Sequence, residues 1–107
     1  MEQQPQTKHF VINKIFFEKE EYRKLSDSSK LAYGILHDYI KVAVDNDWVD
    51  QDGIYVILTN NQLGDILYKS NNTVIKIKKE LEQAGLLVQK RTGLSQPNKL
   101  YILEPKY

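Results

Sequence analysis

Residues 70–87, SNNTVIKIKKELEQAGLL, are the stretch that most restricts what this chain can fold into. Val74, Ile77, Leu81 and Ala84 recur at intervals of three and four, which puts them on one face of a helix. The polar residues ahead of that stripe supply a cap, with Asn71 or Asn72 the expected N-cap, and Gly85 supplies a stop. Asn72, Thr73, Lys76 and Lys79 lie largely away from the stripe, and Lys78 flanks it. Ile75 falls partly outside it, and packing under the following hairpin is the favoured reading there. Glu80 and Glu82 come late, so the first half of the helix is positive or neutral-polar and the second half mildly acidic.

The flanking segments supply the rest of a domain. Thr59 caps a helix over about 60–68, NNQLGDILY, with Leu63, Ile66 and Leu67 as its buried face. Gly64 inside it costs about 1 kcal/mol relative to alanine, so a close approach by a neighbouring helix is its expected use. Lys69, Ser70 and Asn71 then form a short polar connection, and helix, turn, helix in that order is the helix-turn-helix arrangement. After Gly85, LLVQKR (86–91) and KLYIL (99–103) flank the tip TGLSQPN (92–98) and read as a β-hairpin. Upstream, FVINKIFF (10–17) has the β-branched and aromatic density of a strand. EKEEYRKL (18–25) reads as a short helix with Tyr22 and Leu25 inward. A longer helix is expected over about 28–44, capped from Ser26–Ser29, with Leu31, Ile35, Leu36, Tyr39, Ile40, Ala43 and Val44 as a wide stripe. IYVIL (54–58) is a short strand entered from Gly53. The sum is an α+β winged helix-turn-helix, mostly helical, with a C-terminal β-hairpin wing and an N-terminal strand/short-helix extension. Residues 10–103 form the domain, 1–9 a flexible tail, and 104–107 a frayed end or the start of a linker.

Composition removes several functional classes. At 107 residues with 41% apolar and 27% charged content, the chain fits one globular domain with a real core. There is no cysteine, which excludes disulfides, thiolate metal sites and cysteine nucleophiles. His9 and His37 are far apart with no carboxylate at ligand spacing, and His37 reads as a solvated surface residue. The four aspartates of DNDWVDQDG (45–53) do not make a calcium loop, because setting Gly53 as the sixth residue puts Trp48 first and Thr59 twelfth. A turn with exposed acids and Trp48 folded back on the core is the better account. No nucleophile–base pair, phosphate-cradling glycine loop or metal cluster stands out, so neither an enzyme nor a cofactor is expected. No apolar run approaches the roughly 18 residues of a membrane span, and the N-terminus has no hydrophobic signal region, so a cytoplasmic protein is expected.

Charge, by contrast, is informative. Residues 1–68 carry seven Lys/Arg and eleven Asp/Glu, net −4, whereas 69–107 carry eight and three, net +5. A basic half on an acidic half suggests one face built for a polyanion. The residue types of the 70–79 helix suit double-stranded DNA: asparagine pairs with adenine, lysine donates to guanine or phosphate, and threonine does either or packs on a thymine methyl. Candidate contacts are therefore Ser70, Asn71, Asn72, Thr73, Lys76, Lys78 and Lys79 on the helix, with Ser70, Asn71 and the free amides suited to a phosphate. On the wing they are Lys90, Arg91, Ser95, Gln96, Asn98 and Lys99.

The chain resembles the N-terminal domain of RepA-type replication initiators, the RepA_N family of plasmids from staphylococci and other Gram-positive bacteria. LSDSSKLAYGILHDYI, the Trp48–Asp50–Gly53 pattern leading into IYVIL, and TVIKIKKELEQAGLL followed by PNKLYIL carry the likeness. The Trp-x-Asp-x-x-Gly link is its more discriminating part. The acidic stretch Asp45–Asp52 is a departure, read as having no bearing on DNA contacts. The resemblance implies binding to repeated sites in a plasmid replication origin, recruitment of host replication proteins, and work as dimers or higher assemblies. A linker and a further domain are expected after residue 107. FVINKIFF carries more apolar surface than one strand must hide, which makes it the expected dimer contact. A transcriptional regulator is the close alternative. A winged-helix protein-interaction module is the distant one, and would show Leu or Phe where this helix shows Asn, Thr and Lys.

Overall fold

The computed structural model describes residues 8–107. Most of the tail expected over 1–9 lies outside the described residues. The helices are α1 (Ile15–Glu18), α2 (Glu20–Arg23), α3 (Asp27–Asp38), α4 (Ile40–Asp45), α5 (Asn60–Leu67) and α6 (Asn71–Gln83). The strands are β1 (Val49–Asp50), β2 (Gly53–Ile54), β3 (Leu87–Lys90) and β4 (Lys99–Ile102). β1 and β2 form one small antiparallel hairpin and β3 and β4 another, the latter in the register Leu87↔Ile102 through Lys90↔Lys99. Val56 joins the second hairpin through a reciprocal pair of backbone bonds with Leu100, of 2.7 and 2.9 Å.

The core is shared by all these pieces. Leu36 of α3, Leu63 of α5, Val74 and Leu81 of α6, Val56, Leu86 and Leu100 are fully buried in one cluster with Ile15 and Phe16. Burying each such side chain contributes roughly 1.5–3 kcal/mol, so the helix-turn-helix is held from behind by α3 and from the side by the hairpin. Ser26 caps α3, accepting from the Ser29 amide at 3.1 Å, and its own amide donates to Glu80 of α6 at 2.8 Å. The start of α3 is thereby tied to the back of α6.

The N-terminal strand is not there. Residues 8–13 are irregular and 15–18 are helical. Asn13 Oδ1 accepts the Ile15 amide at 2.9 Å and turns the chain, and the neighbours Ile15 and Phe16 are both buried, which an alternating strand cannot do. Phe16 meets Tyr22 and Tyr33 edge-on, with centroids 6.0 and 5.1 Å apart. A short apolar run does not separate strand from helix by periodicity. Tyr22 and Leu25 are inward, as the spacing predicts. The long helix over 28–44 is broken at Tyr39, where α3 ends and α4 starts. Leu31 and Val44 are exposed, while Ala32 and Tyr33 take the buried places. IYVIL contributes only Ile54 to a strand, plus the bridge at Val56.

Two further differences bear on the C-terminal half. Ile66 faces outward, leaving Leu63, Gly64 and partly Leu67 to cover α6. The end expected to fray is strapped down: Tyr33 Oη donates to Leu103 O at 2.7 Å, the Lys106 amide donates to Tyr22 Oη at 3.1 Å, and His37 pairs with Glu104 at 2.7 Å. Residues 104–107 thus cross the α1–α3 side of the domain. Among the described residues no helix is long and apolar enough to cross a membrane, and no group of three or more His, Cys, Asp or Glu is placed to hold a metal ion.

Candidate nucleic-acid interface

The turn between α5 and α6 is built from local chemistry. Thr59 and Gln62 form a reciprocal capping box at the start of α5. At its end Tyr68 adopts the left-handed conformation (φ 57°, ψ 49°), and the Lys69 amide returns to Gly64 O at 2.9 Å. A Cβ on Gly64 would lie 2.8 Å from Lys69 O and 3.5 Å from Val74 Cγ2, so glycine is required by the carbonyl of the turn that follows, whereas the neighbouring helix expected to need it, α6, stands at ordinary contact distance. The chain then enters α6 with Ser70, rather than Asn71 or Asn72, as N-cap: Ser70 Oγ accepts the Thr73 amide at 3.2 Å. That leaves the side chains of Asn71 and Asn72 free and exposed.

On α6, Val74, Ile77 and Leu81 are buried as the period predicts. Asn72, Lys76 and Lys79 lie opposite them on the solvent side, and Asn71 is exposed beside the cap. Thr73 is half-buried, its Oγ1 3.0 Å from Ser70 Oγ. Ile75 stays 38% exposed, sharing the outer face with Asn72 and Lys79 instead of packing away. Lys78 is the exception among the candidates. It is only 4% exposed, and its Nζ donates to Asn60 Oδ1, at the start of α5, at 2.6 Å. Burial pulls its pKa down to about 8. It joins the two helices from inside and does not reach the outer face.

The wing brings a second correction. Lys90 of β3 is paired with Asp52, and Lys99 of β4 with Asp50 at 2.8 Å. Asp50 also accepts from Tyr101 Oη at 2.7 Å. The hydrogen bonds from Lys99 and then Tyr101 hold the Asp50 carboxyl down to about 2. The same contact raises Lys99, while burial, followed by the bond to Asp50, pushes Tyr101 up to about 12. The acidic stretch therefore does bear on the basic wing, by neutralising two of its lysines. Arg91, Ser95 and Gln96 are exposed, Asn98 is half-exposed, and Thr92 Oγ1 donates to Pro97 O at 3.2 Å across the tip. Two exposed residues on this side escaped the sequence reading. Tyr68 is 96% exposed at the turn, and Leu94 is 99% exposed at the wing tip. Tyr68 stands two residues ahead of the serine cap, at the end of the expected helix, and nothing local marks either it or Leu94 as a contact.

Three core helices (α3, α5 and α6), a tight turn before α6 and a β3–β4 hairpin bridged to Val56 define a winged helix-turn-helix domain of the α+β class. The chain belongs to the family described as the N-terminus of replication initiator protein A (RepA), matched over residues 8–106. It is 30% identical over 95 residues to a "41 kDa protein" of Lactobacillus helveticus, covering 82% of this chain but 27% of that protein. The chain thus spans about a quarter of that curated relative's length. Among solved structures it is similar to one described as the N-terminal domain of a DNA binding protein, with 44% identity and a TM-score of 0.84 over 94% of this chain and 77% of that one. A Rep–DNA complex gives 44% identity and 0.83 over 94% and 78%. An "MDR initiator" gives 42% and 0.82 over 94% and 79%.

Proposed function

We propose that this domain binds repeated double-stranded DNA sites at a plasmid replication origin, and that it does so as the DNA-reading part of a replication initiator. The observation that carries the reading is the outer face of α6. Asn71, Asn72, Lys76 and Lys79 stand exposed just past a capped helix start, in a helix-turn-helix whose opposite side is fully buried. In the major groove this face reads base edges through Asn72 and Lys76, with Ile75 against a thymine methyl. Ser70, Asn71, Thr73, Tyr68 and Lys69 hold backbone phosphates at the turn, together with Lys79 farther along the helix, and the Lys76 charge offsets one more phosphate while its ammonium reads a base. Arg91, Ser95, Gln96 and Asn98 reach the neighbouring backbone or minor groove from the wing. Lys90 and Lys99 are secondary because each already has a carboxylate, and Lys78 is a support rather than a contact. No chemistry is assigned to the domain itself.

Lys76→Ala and Asn72→Ala are each expected to weaken specific binding by roughly 1–3 kcal/mol and to relax base preference at one position. Electrophoretic titration against a set of singly substituted duplexes reads both effects, and unchanged affinity in both variants would remove α6 from the groove. Footprinting on the plasmid that encodes the chain separates initiator from transcriptional regulator, because an initiator protects a repeated site near the origin and a regulator protects a promoter.

Host replication proteins are engaged, in this reading, through a region outside this chain. Self-association through the N-terminal segment is part of the same proposal, and the exposure of Phe10, Val11 and Phe17 there supports it. Light scattering at micromolar concentration is expected to give the mass of two chains, and the mass of a single chain counts against it.

A further inference from the structure

The Trp-x-Asp-x-x-Gly segment makes a set of contacts that a simple turn does not need. Its Asp50 carboxylate accepts three hydrogen bonds, from Lys99 Nζ at 2.8 Å, Tyr101 Oη at 2.7 Å and the Asp52 amide at 2.9 Å. Asp52 accepts from Lys90 of the other wing strand. Trp48 stacks on Tyr55 at 6.4 Å with the rings 9° apart, and Tyr55 meets Tyr101 edge-on at 6.1 Å. Lys99 Nζ sits 4.5 Å from the Tyr55 ring centroid and Lys90 Nζ 5.5 Å from that of Tyr101. Both wing strands are thus gripped by one two-stranded hairpin, through residues 38 to 51 positions away in the chain.

Stability alone is a weak reason for this arrangement. Half-exposed ion pairs such as Lys90–Asp52 contribute little, with a median of about 0–1 kcal/mol. Beside a polyanion, two carboxylates also lower the attraction that the wing lysines would otherwise supply. They are worth their electrostatic cost only if geometry repays it.

We propose that Asp50 is a positioning residue for DNA recognition: the β1–β2 hairpin is a strut that fixes the wing against α6 and holds Lys90 and Lys99 away from phosphates. The wing then adds discrimination rather than unselective affinity. This rests on the DNA-binding reading above. Tyr101→Phe removes one strut bond without changing charge, whereas Asp50→Asn also removes the charge that holds Lys99.

The test compares wild type, D50N and Y101F on a duplex carrying the footprinted repeat and on a scrambled duplex, with backbone amide exchange measured on the free proteins. In D50N the ratio of specific to non-specific affinity is expected to fall about tenfold, and its salt slope on scrambled DNA to steepen by about one unit as Lys99 is released. In Y101F the ratio falls with the slope unchanged. In both, exchange quickens in the paired strands, 87–90 and 99–102, and holds in α6. A wild-type ratio in both variants overturns the proposal, and so does equal quickening in α6, which marks general loosening. If D50N does not fold, Y101F decides alone. If the wild-type protein itself shows no sequence preference, the DNA reading fails and the positioning role falls with it. The exchange comparison, made without DNA, still reports whether Asp50 holds the wing.

Discussion

Raising the salt concentration from about 50 to about 200 mM is expected to weaken binding of this domain to duplex DNA by roughly 10²-fold, from about four phosphate neutralisations at a slope of about −0.9 each. The number of contacts comes from which cations are available. Lys69, Lys76, Lys79 and Arg91 are exposed on the turn, α6 and the wing, and none is in an ion pair among the described residues. Lys90 and Lys99 are committed to Asp52 and Asp50, and Lys78 is inside. If the wing lysines abandoned their carboxylates for phosphate, about six contacts would steepen the loss to roughly 10³-fold or more over the same range. A fluorescence-anisotropy titration in a salt series distinguishes the two slopes. Arg91→Ala should flatten the dependence by about one unit on every sequence, and Lys90→Ala by clearly less. Affinity that barely responds to salt would mean the basic face is not a phosphate surface.

By residue type alone Lys78, Lys90 and Lys99 would all count as DNA contacts, and the salt dependence would be steeper. Charge asymmetry between the two halves of the chain is legible by counting, but which lysines are free is a long-range fact. Lys90 and Lys99 meet carboxylates 38 and 49 positions away, across the join between two separate hairpins. Nothing in local spacing links a run of aspartates to a wing. The buried stripe Val74, Ile77, Leu81, in contrast, follows from a 3.6-residue period that every surface helix obeys, and it needed no tertiary information. Winged topology was legible for the same reason, since helix, polar turn, capped helix and hairpin are each marked by neighbouring residues. The failures fall where local signals compete. FVINKIFF satisfies strand composition, yet Asn13 turns it into a helix. Leu31 and Ala32 are adjacent on α3, and only the shape of the neighbouring elements decides that the smaller one goes inside. Tyr68 is exposed because it closes α5 in a left-handed conformation, which a tyrosine gives little reason to expect.

Lys78→Met is expected to raise the stability of the domain at pH 7 by about 1–3 kcal/mol while leaving DNA affinity essentially unchanged. A lysine on a recognition helix reads as a contact by residue type. Here its ammonium is buried against Asn60, with Glu82 the charged group that partly offsets the burial. Its pKa falls from the ordinary lysine value to about 8, so the unfolded chain holds this proton more tightly than the folded one. The folded state therefore bears the full cost of the buried charge below about pH 8, and stability rises with pH from there towards the ordinary lysine value of about 10.4. Methionine fills a similar volume without charge, and Asn60, half-exposed, can turn its amide to water. Lost is one hydrogen bond, which is why the gain is smaller than the shift alone would suggest. Above pH 10 the raised Tyr33 and Tyr101 work the other way, because the unfolded chain ionises first and stability falls as pH climbs. Both proteins share that fall, so the informative quantity is the difference between wild type and K78M in urea denaturation from pH 7 to 10. It should be largest at pH 7 and close as the wild-type lysine loses its proton. A difference that stays flat would mean Lys78 is not charged against an apolar surround. A loss of DNA affinity in K78M with α6 intact would return Lys78 to the contact face and overturn its assignment as an internal brace.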